Sequence, residues 1–136
     1  MKYLEVGSQD RQLMQAAIDV IGRNFRDERH TVGAAVLCSS GKIYTGVNVE
    51  ACGYGPCAEP IAIGAAICQG EKEFTTMVAV GGWNTRYPLL PPCGNCRQLL
   101  WDYAPEAAVL LEEDGKVIKV SIRDLLPLAY RNFYDD

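Results

Sequence analysis

The residues PCAE at positions 56–59 and PCGNCRQ at positions 92–98 form two short blocks that both begin with proline and cysteine. Cys57, Cys93 and Cys96 offer three thiolates within these blocks. A catalytic zinc site uses three protein ligands and leaves one position for water, whereas a structural zinc site usually has four protein ligands. The two blocks therefore predict a catalytic centre that holds one zinc ion per chain.

Glu59 favours this interpretation because it follows the first cysteine by two residues, where a carboxylate can move protons without binding the metal. Two other interpretations stay open. A structural zinc site would need a fourth ligand from Cys38, Cys52, Cys68 or His30, and none of these belongs to a second C-x-x-C pair. A redox protein would use Cys93 and Cys96 alone, because the same spacing also occurs in redox sites.

Together, the two blocks resemble those of the cytidine deaminase family, and the resemblance extends from about Val32 to Tyr130. Zinc deaminases include a variant with three cysteine ligands, and a glutamate that does not bind the metal acts as general acid and base. The resemblance implies a hydrolase acting on a cyclic amidine, which converts cytidine or deoxycytidine to uridine or deoxyuridine and ammonia. Glu59 would take a proton from water and pass it to the ring nitrogen, and would then deliver a second proton to the departing amine.

The resemblance also assigns residues around the metal. Asn48 and Glu50 lie two apart in a strand, so their side chains point to the same face, where family members hold the ribose hydroxyls. Ala58 is assigned to the substrate site as well. Arg97 would offset the negative charge of three thiolates and orient a sulfur, and Gln98 would support it. In the alternative interpretations, Asn48 and Glu50 form a polar strand end that faces water, and Arg97 is an exposed charge on a helix.

The substrate is the open part of this hypothesis. Pro60 occupies the position where the family usually has an arginine that balances charge, so Arg97 would carry more of that task. The loop between Glu50 and Cys57 is shorter than in typical cytidine deaminases and closer to that of blasticidin S deaminase. Glu50 favours cytidine or deoxycytidine, with blasticidin S or another aminopyrimidine nucleoside as the alternative. A non-catalytic binding module stabilised by zinc is a third interpretation.

Composition limits the partners. The chain has 136 residues, which suits a single domain over residues 1–136. A net charge of −4 and a sequence pI near 5.0 argue against a nucleic-acid surface. We expect no membrane span and no signal peptide, hence a reducing, cytoplasmic location where the six cysteines are thiols or ligands. The family resemblance implies a homotetramer with composite active sites.

The hydrophobic pattern predicts the element order α-β-β-α-β-α-β-β-α, with both metal blocks at the start of helices. This order indicates a three-layer α/β fold of the cytidine deaminase type, with a five-stranded mixed sheet flanked by helices. The predicted elements cover residues 8–25, 32–38, 43–49, 58–70, 74–82, 93–103, 107–111, 117–120 and 122–126. The Asp114-Gly115 pair predicts a tight turn between the last two strands.

Five further residues carry weaker expectations. His30 either lies at the entrance of a strand or stacks in the substrate pocket, and Arg86 is a solvated loop charge or, less favoured, a contact for an anionic group. Cys52 and Cys68 are predicted to fill buried positions, because free cysteine behaves as a small apolar residue. The family resemblance implies that Phe133, near the C-terminus, covers the active site of a neighbouring subunit.

Overall fold

The computed structural model describes residues 1–131 and has one mixed sheet with helices on both faces. The strands follow one another across the sheet in the order β1-β6-β5-β4-β2-β3. The pair β4 and β5 is parallel, and every other neighbouring pair is antiparallel. In chain order the elements are β1 (Tyr3–Leu4), α1 (Ser8–Asn24), β2 (Val32–Cys38), β3 (Ile43–Val47), α2 (Ala58–Cys68), β4 (Phe74–Gly81), α3 (Gly94–Tyr103), β5 (Ala108–Glu113), β6 (Lys116–Ser121) and α4 (Ile122–Leu125).

The sheet has six strands among the described residues, one more than the five expected. The additional strand is β1, which pairs antiparallel with β6 and places Tyr3 opposite Val120 and Leu4 opposite Lys119. A two-residue strand is too short to show the alternating pattern on which the prediction of strands depends. The other five strands and the three-layer α/β architecture are confirmed.

The alternation of side chains in β2 explains the three layers. Successive residues of a strand point to opposite faces. Ala34 and Val36 pack in the core that contains α2, α3 and α4, whereas Ala35 and Leu37 pack in the core that contains α1. The sheet therefore has α1 on one face and the two helices that begin at the metal blocks on the other.

The turn between β5 and β6 shows how local sequence sets a strand pair. Asp114 and Gly115 both have positive φ, at 50° and 77°. This is the backbone of a tight hairpin turn, which the sequence predicted from the Asp-Gly pair. The two strands run right up to that turn and are longer than expected at the hairpin end.

Gly46 in β3 allows α2 to lie directly against the sheet. A Cβ atom at this position would lie 2.5 Å from the Ala62 backbone nitrogen and 2.8 Å from the Ala58 carbonyl oxygen. Both atoms belong to the backbone of α2, which cannot move aside in the way that the end of a flexible side chain could. The glycine therefore sets the distance between β3 and the helix that begins after Cys57.

We expect the substitution Gly46→Ala to destabilise the protein by about 1–3 kcal/mol, because the added methyl group forces α2 away from β3. The matched control is Gly64→Ala in α2 itself, where a Cβ atom meets nothing within 4 Å. That change should be neutral or stabilise by up to about 1 kcal/mol, because alanine favours a helix. Urea unfolding measures both effects, and equal stabilities of the two variants would contradict this account of Gly46.

Two cysteines outside the metal blocks are exposed, so the prediction that they fill buried positions is wrong. Cys68 is the last residue of α2, and its neighbour Ile67 is also 43% exposed. Cys52 lies in the exposed loop before the first metal block. Cys38 in β2 is buried instead, and burial raises the pKa of its thiol to about 11. Apolar composition alone overestimated the burial of the last turn of α2.

Among residues 1–131, no helix has both the length and the apolar character needed to cross a membrane.

Candidate active site

The first residues of α2 and α3 bring three cysteine sulfurs together. Cys57 and Cys93 each immediately precede one of these helices, and Cys96 lies in the first turn of α3. The three sulfur atoms all lie within 4.8 Å of one another, and the Cys57 and Cys93 sulfurs are 3.6 Å apart. Sulfurs placed tetrahedrally around zinc at about 2.3 Å are about 3.8 Å apart. The three thiols therefore fit a zinc ion.

The cluster has three members among the described residues. Within residues 1–131, no fourth histidine, cysteine or carboxylate ligand atom lies in the same 4.8 Å range. Cys38, Cys52, Cys68 and His30 are all within the described part of the chain, yet none belongs to the cluster. This ligand number matches a catalytic zinc site, which leaves one position open, better than a structural one.

The thiols of the cluster differ in acidity. Burial raises the pKa of Cys57, and the contact with the Cys93 sulfur raises it further. Burial and the nearby Glu59 carboxylate also raise the pKa of Cys96. Burial acts in the same direction on Cys93, but the backbone N–H groups of Cys96 and Asn95 and the neighbouring thiols outweigh it and lower its pKa. Cys93 is thus the first thiol to ionise, at a helix start where N–H groups point outward.

Glu59 is the buried carboxyl beside this cluster. It lies in the first turn of α2 and is only 6% exposed. Burial raises the pKa of its carboxyl group, while its own backbone N–H and the Cys96 thiol partly stabilise the ionised form. A raised pKa brings a carboxyl group closer to the pH at which an enzyme works, as two-way proton transfer by a general acid and base requires.

A cavity of about 230 Å³ opens beside the cluster and Glu59. Its walls are mostly apolar, and its polar groups are concentrated at the cysteines, Glu59, Asn48 and Glu50. Apolar walls with a few converging polar groups are typical of small-molecule sites. The lining residues are Val32, Asn48, Glu50, Cys57, Ala58, Glu59, Ala79, Leu90, Pro91 and Cys93. A larger cleft of about 650 Å³ near the start of α1 contains none of these residues.

Asn48 and Glu50 both line the cavity, but their side chains have different partners. The Asn48 side-chain oxygen accepts hydrogen bonds from the backbone N–H groups of Thr31 and Val32, at 2.7 Å and 2.9 Å. Its amide nitrogen donates to the Thr31 hydroxyl at 3.3 Å and to the Glu50 carboxylate at 3.0 Å. Since a side-chain amide has two donor and two acceptor positions, these four hydrogen bonds occupy the full hydrogen-bonding capacity of the Asn48 side chain. Glu50 is left with acceptor capacity for a ligand.

Arg97 and Gln98 have hydrogen bonds to groups other than the sulfurs. Arg97 donates to the carbonyl oxygens of Pro92 at 2.8 Å and Leu125 at 2.9 Å. Gln98 donates to Asp102 at 2.9 Å and to the Tyr130 carbonyl oxygen at 3.0 Å. Arg97 therefore fixes the residue before Cys93, while Gln98 connects α3 to the C-terminal segment. The expected direct support of a ligand sulfur is not among these contacts.

Three weaker expectations concern residues outside the cavity lining. The His30 ring nitrogen Nδ1 lies 2.9 Å from the Asn48 carbonyl oxygen, which matches the interpretation of His30 at a strand entrance. The Arg86 side chain is exposed, and its backbone N–H donates to Asn84 in the same loop. Phe133 lies outside the described residues.

Four of the cavity-lining residues, Val32, Ala79, Leu90 and Pro91, are not among the site residues assigned individually from the sequence. Leu90 and Pro91 lie just before the second metal block, and this position in the chain was the available signal. Val32 and Ala79 lie on the neighbouring strands β2 and β4, whose pairing places Val32 opposite Gly81 and Ala34 opposite Ala79. Such a pairing between distant segments has no counterpart in local sequence.

Comparison with known proteins places this site in a family. A family model described as the cytidine and deoxycytidylate deaminase zinc-binding region matches residues 7–118. The chain is 39% identical over 142 residues to blasticidin-S deaminase of Bacillus cereus, covering 96% of this chain and 98% of that protein. It is 34% identical over 106 residues to cytidine deaminase of Halalkalibacterium halodurans, covering 75% and 78% of the two chains.

A solved structure agrees with the sequence comparisons. The crystal structure of cytidine deaminase from Burkholderia pseudomallei superposes with a TM-score of 0.73 at 33% identity, and the match covers 88% of this chain and 98% of that one. The chain therefore belongs to the cytidine and deoxycytidylate deaminase family and carries the zinc-binding region of that family.

Proposed function

We propose that the protein catalyses the zinc-dependent hydrolytic deamination of a cytosine nucleoside, with release of ammonia. One observation carries this proposal: the buried carboxyl of Glu59 lies beside three cysteine sulfurs at a small, mostly apolar cavity. This is the group of residues that hydrolytic deamination of a cytosine ring requires.

The residues divide the chemistry between them. Cys57, Cys93 and Cys96 hold the zinc, which when bound supplies a Lewis acid that makes water nucleophilic near neutral pH. The Glu59 carboxylate accepts a proton from the attacking water and delivers it to the ring nitrogen N3. Glu59 then takes the proton of the hydroxyl group now on C4 and gives it to the amino group on C4, so that the C4–N bond breaks, the C4–O bond becomes the carbonyl of the product and ammonia leaves. Its raised pKa suits this two-way transfer.

The cavity supports a nucleoside as the substrate. Glu50 presents a carboxylate that Asn48 holds in place, and a carboxylate accepts hydrogen bonds from hydroxyl groups such as those of ribose. Ala58 is fully buried at the wall beside Glu59, and its small side chain leaves room for a flat ring. Cytidine and deoxycytidine are therefore the first candidates.

Blasticidin S is a second candidate substrate. The similarity to blasticidin-S deaminase of Bacillus cereus extends over 96% of this chain, whereas that to the Halalkalibacterium cytidine deaminase covers 75%. The short loop between Glu50 and Cys57 also favours it. Both candidates contain the cytosine ring on which Glu59 acts, so they differ only in what surrounds that ring.

A panel of cytidine, deoxycytidine, blasticidin S, cytosine and dCMP separates the candidates, with ammonia release and zinc content measured together. We expect turnover of cytidine, and a rise in KM of about tenfold in Glu50→Gln because a hydroxyl loses a charged acceptor. Glu112→Gln, an exposed carboxylate in β5, is the control. Turnover of blasticidin S alone would favour the second candidate. No turnover of any compound by zinc-loaded protein would contradict the proposal.

Assembly and location stay expectations from the family resemblance. We propose a homotetramer in the cytoplasm, acting in pyrimidine salvage. Sedimentation of a monomer at assay concentration would contradict the tetramer.

A further inference from the structure

The turn at residues 26–30 is tied to the segment that carries Glu50. Arg26 and His30 pair through two backbone hydrogen bonds, of 2.9 Å and 2.8 Å, and Glu28 between them has a positive φ of 65°. A left-handed conformation at a residue other than glycine is uncommon and marks a tightly closed turn. Arg29 and His30 leave this turn pointing towards the cavity-lining segment 48–50.

Each of these two side chains binds a backbone carbonyl of that segment. The Arg29 guanidinium donates from Nη1 to the Glu50 carbonyl oxygen at 3.0 Å. The His30 ring approaches the Asn48 carbonyl oxygen with Nδ1 at 2.9 Å. Together with the Thr31 and Val32 N–H groups on the Asn48 side chain, residues 29–32 hold segment 48–50 at successive points.

We propose that Arg29 is a positioning residue that orients the Glu50 carboxylate for the substrate. Asn48, the residue after β3, donates to one carboxylate oxygen of Glu50, and Arg29 donates to the carbonyl oxygen of the same residue from the turn. With both contacts present, rotation of Glu50 about its backbone is restricted. This inference rests on the proposed function, because it requires a nucleoside to bind at Glu50. It concerns how tightly that nucleoside binds, and not how its ring is deaminated.

The expected consequence is an effect on KM with little effect on kcat. Loss of a hydrogen bond from a charged donor should raise KM for cytidine about three- to tenfold in Arg29→Ala. The value of kcat should stay within about twofold, because Arg29 does not line the cavity and its hydrogen bond goes to a backbone carbonyl, not to Glu59 or the cysteines. Arg29→Lys should recover part of the loss, since an ammonium can donate to the same carbonyl oxygen.

The control is Arg26→Ala. Arg26 belongs to the same turn, carries the same charge and, within residues 1–131, has no side-chain hydrogen bond or ion pair. The substitution Arg26→Ala removes the same charge without removing a contact to segment 48–50, so the KM of this variant should match that of the wild type.

A double-mutant cycle with Glu50→Gln tests the mechanism. If Arg29 acts through Glu50, adding Arg29→Ala to Glu50→Gln should raise KM by less than about twofold. The inference would be overturned by any of three results: an unchanged KM in Arg29→Ala, an undiminished effect of Arg29→Ala in the Glu50→Gln background, or an equal rise in KM in Arg26→Ala. In each case turnover by the wild type would still uphold the proposed function. No turnover by the wild type would overturn both.

Discussion

Replacing Glu59 with glutamine should abolish deamination while zinc remains bound. Glutamine keeps the shape of the side chain but cannot accept and return a proton. General acid–base catalysis contributes about 10²- to 10⁴-fold, and Glu59 is assigned two transfers in each turnover, so we expect a loss at or above the upper end of this range. The cysteine sulfurs are untouched, so zinc content should match that of the wild type. Turnover above about one hundredth of the wild-type rate would contradict the role of Glu59.

The same substitution has an expected effect on stability with a defined sign. Burial raises the pKa of Glu59 in the folded protein above its unfolded value, so the neutral carboxyl is the form that the site favours. The stabilisation is complete below the unfolded pKa and is lost as pH rises through the folded pKa. Metal-free Glu59→Gln should therefore be more stable than the metal-free wild type at pH 7. The difference should shrink as pH falls towards about 4.

Thermal unfolding of both metal-free proteins at several pH values measures this difference. Asp19→Asn is a suitable control, because Asp19 lies in α1 away from the cavity and its carboxylate has an ordinary hydrogen bond to Gln15. A variant with lost activity and raised stability would separate the catalytic role of Glu59 from a structural one. Lower stability of Glu59→Gln at pH 7 would indicate that the carboxylate contributes to the fold.

Replacing Cys96 with serine should remove zinc and activity together. Cys96 is the buried member of the cluster, and a serine hydroxyl is a far weaker zinc ligand than a thiolate. We expect zinc to fall well below one per chain and deamination to fall at least about 100-fold. Cys68→Ser is the matched control, because this exposed thiol lies outside the cluster. Full zinc content in Cys96→Ser would contradict the ligand set.

Zinc affinity should also depend on pH in a stated direction. Burial raises the pKa of Cys57 and Cys96, so both thiols are protonated in the metal-free protein near neutral pH. Zinc binds the thiolates and must displace those protons. Affinity should therefore weaken as pH falls, and calorimetry in buffers of different ionisation enthalpy should detect proton release on binding.

The metal site could be predicted from sequence because its parts are local. Cys57 and Glu59 are two residues apart, Cys93 and Cys96 are three apart, and each pair lies at the start of one helix. A few neighbouring residues are enough to predict the start of a helix, and the same is true of the turn at Asp114-Gly115. Local sequence does not show that the two helix starts lie close together in space. That part of the prediction came from the family resemblance.

The less local features could not be predicted. The pairing of β1 with β6 joins Tyr3 to Val120, and two residues give no periodic signal for it. Arg97 lies next to Cys96 in sequence but donates to Pro92 and Leu125, because side-chain direction on a helix depends on what packs against it. The contact of Arg29 with Glu50 likewise depends on a turn that brings distant residues together.

Ammonia release from cytidine, measured while zinc is titrated into the metal-free protein, tests whether the three cysteines and Glu59 form a zinc-dependent deaminase. The rate should rise in proportion to zinc and reach its maximum at about one zinc per chain, and Glu59→Gln should bind the same amount of zinc without releasing ammonia. Binding of one zinc per chain with no deamination of cytidine, deoxycytidine or blasticidin S by the wild type would contradict this prediction.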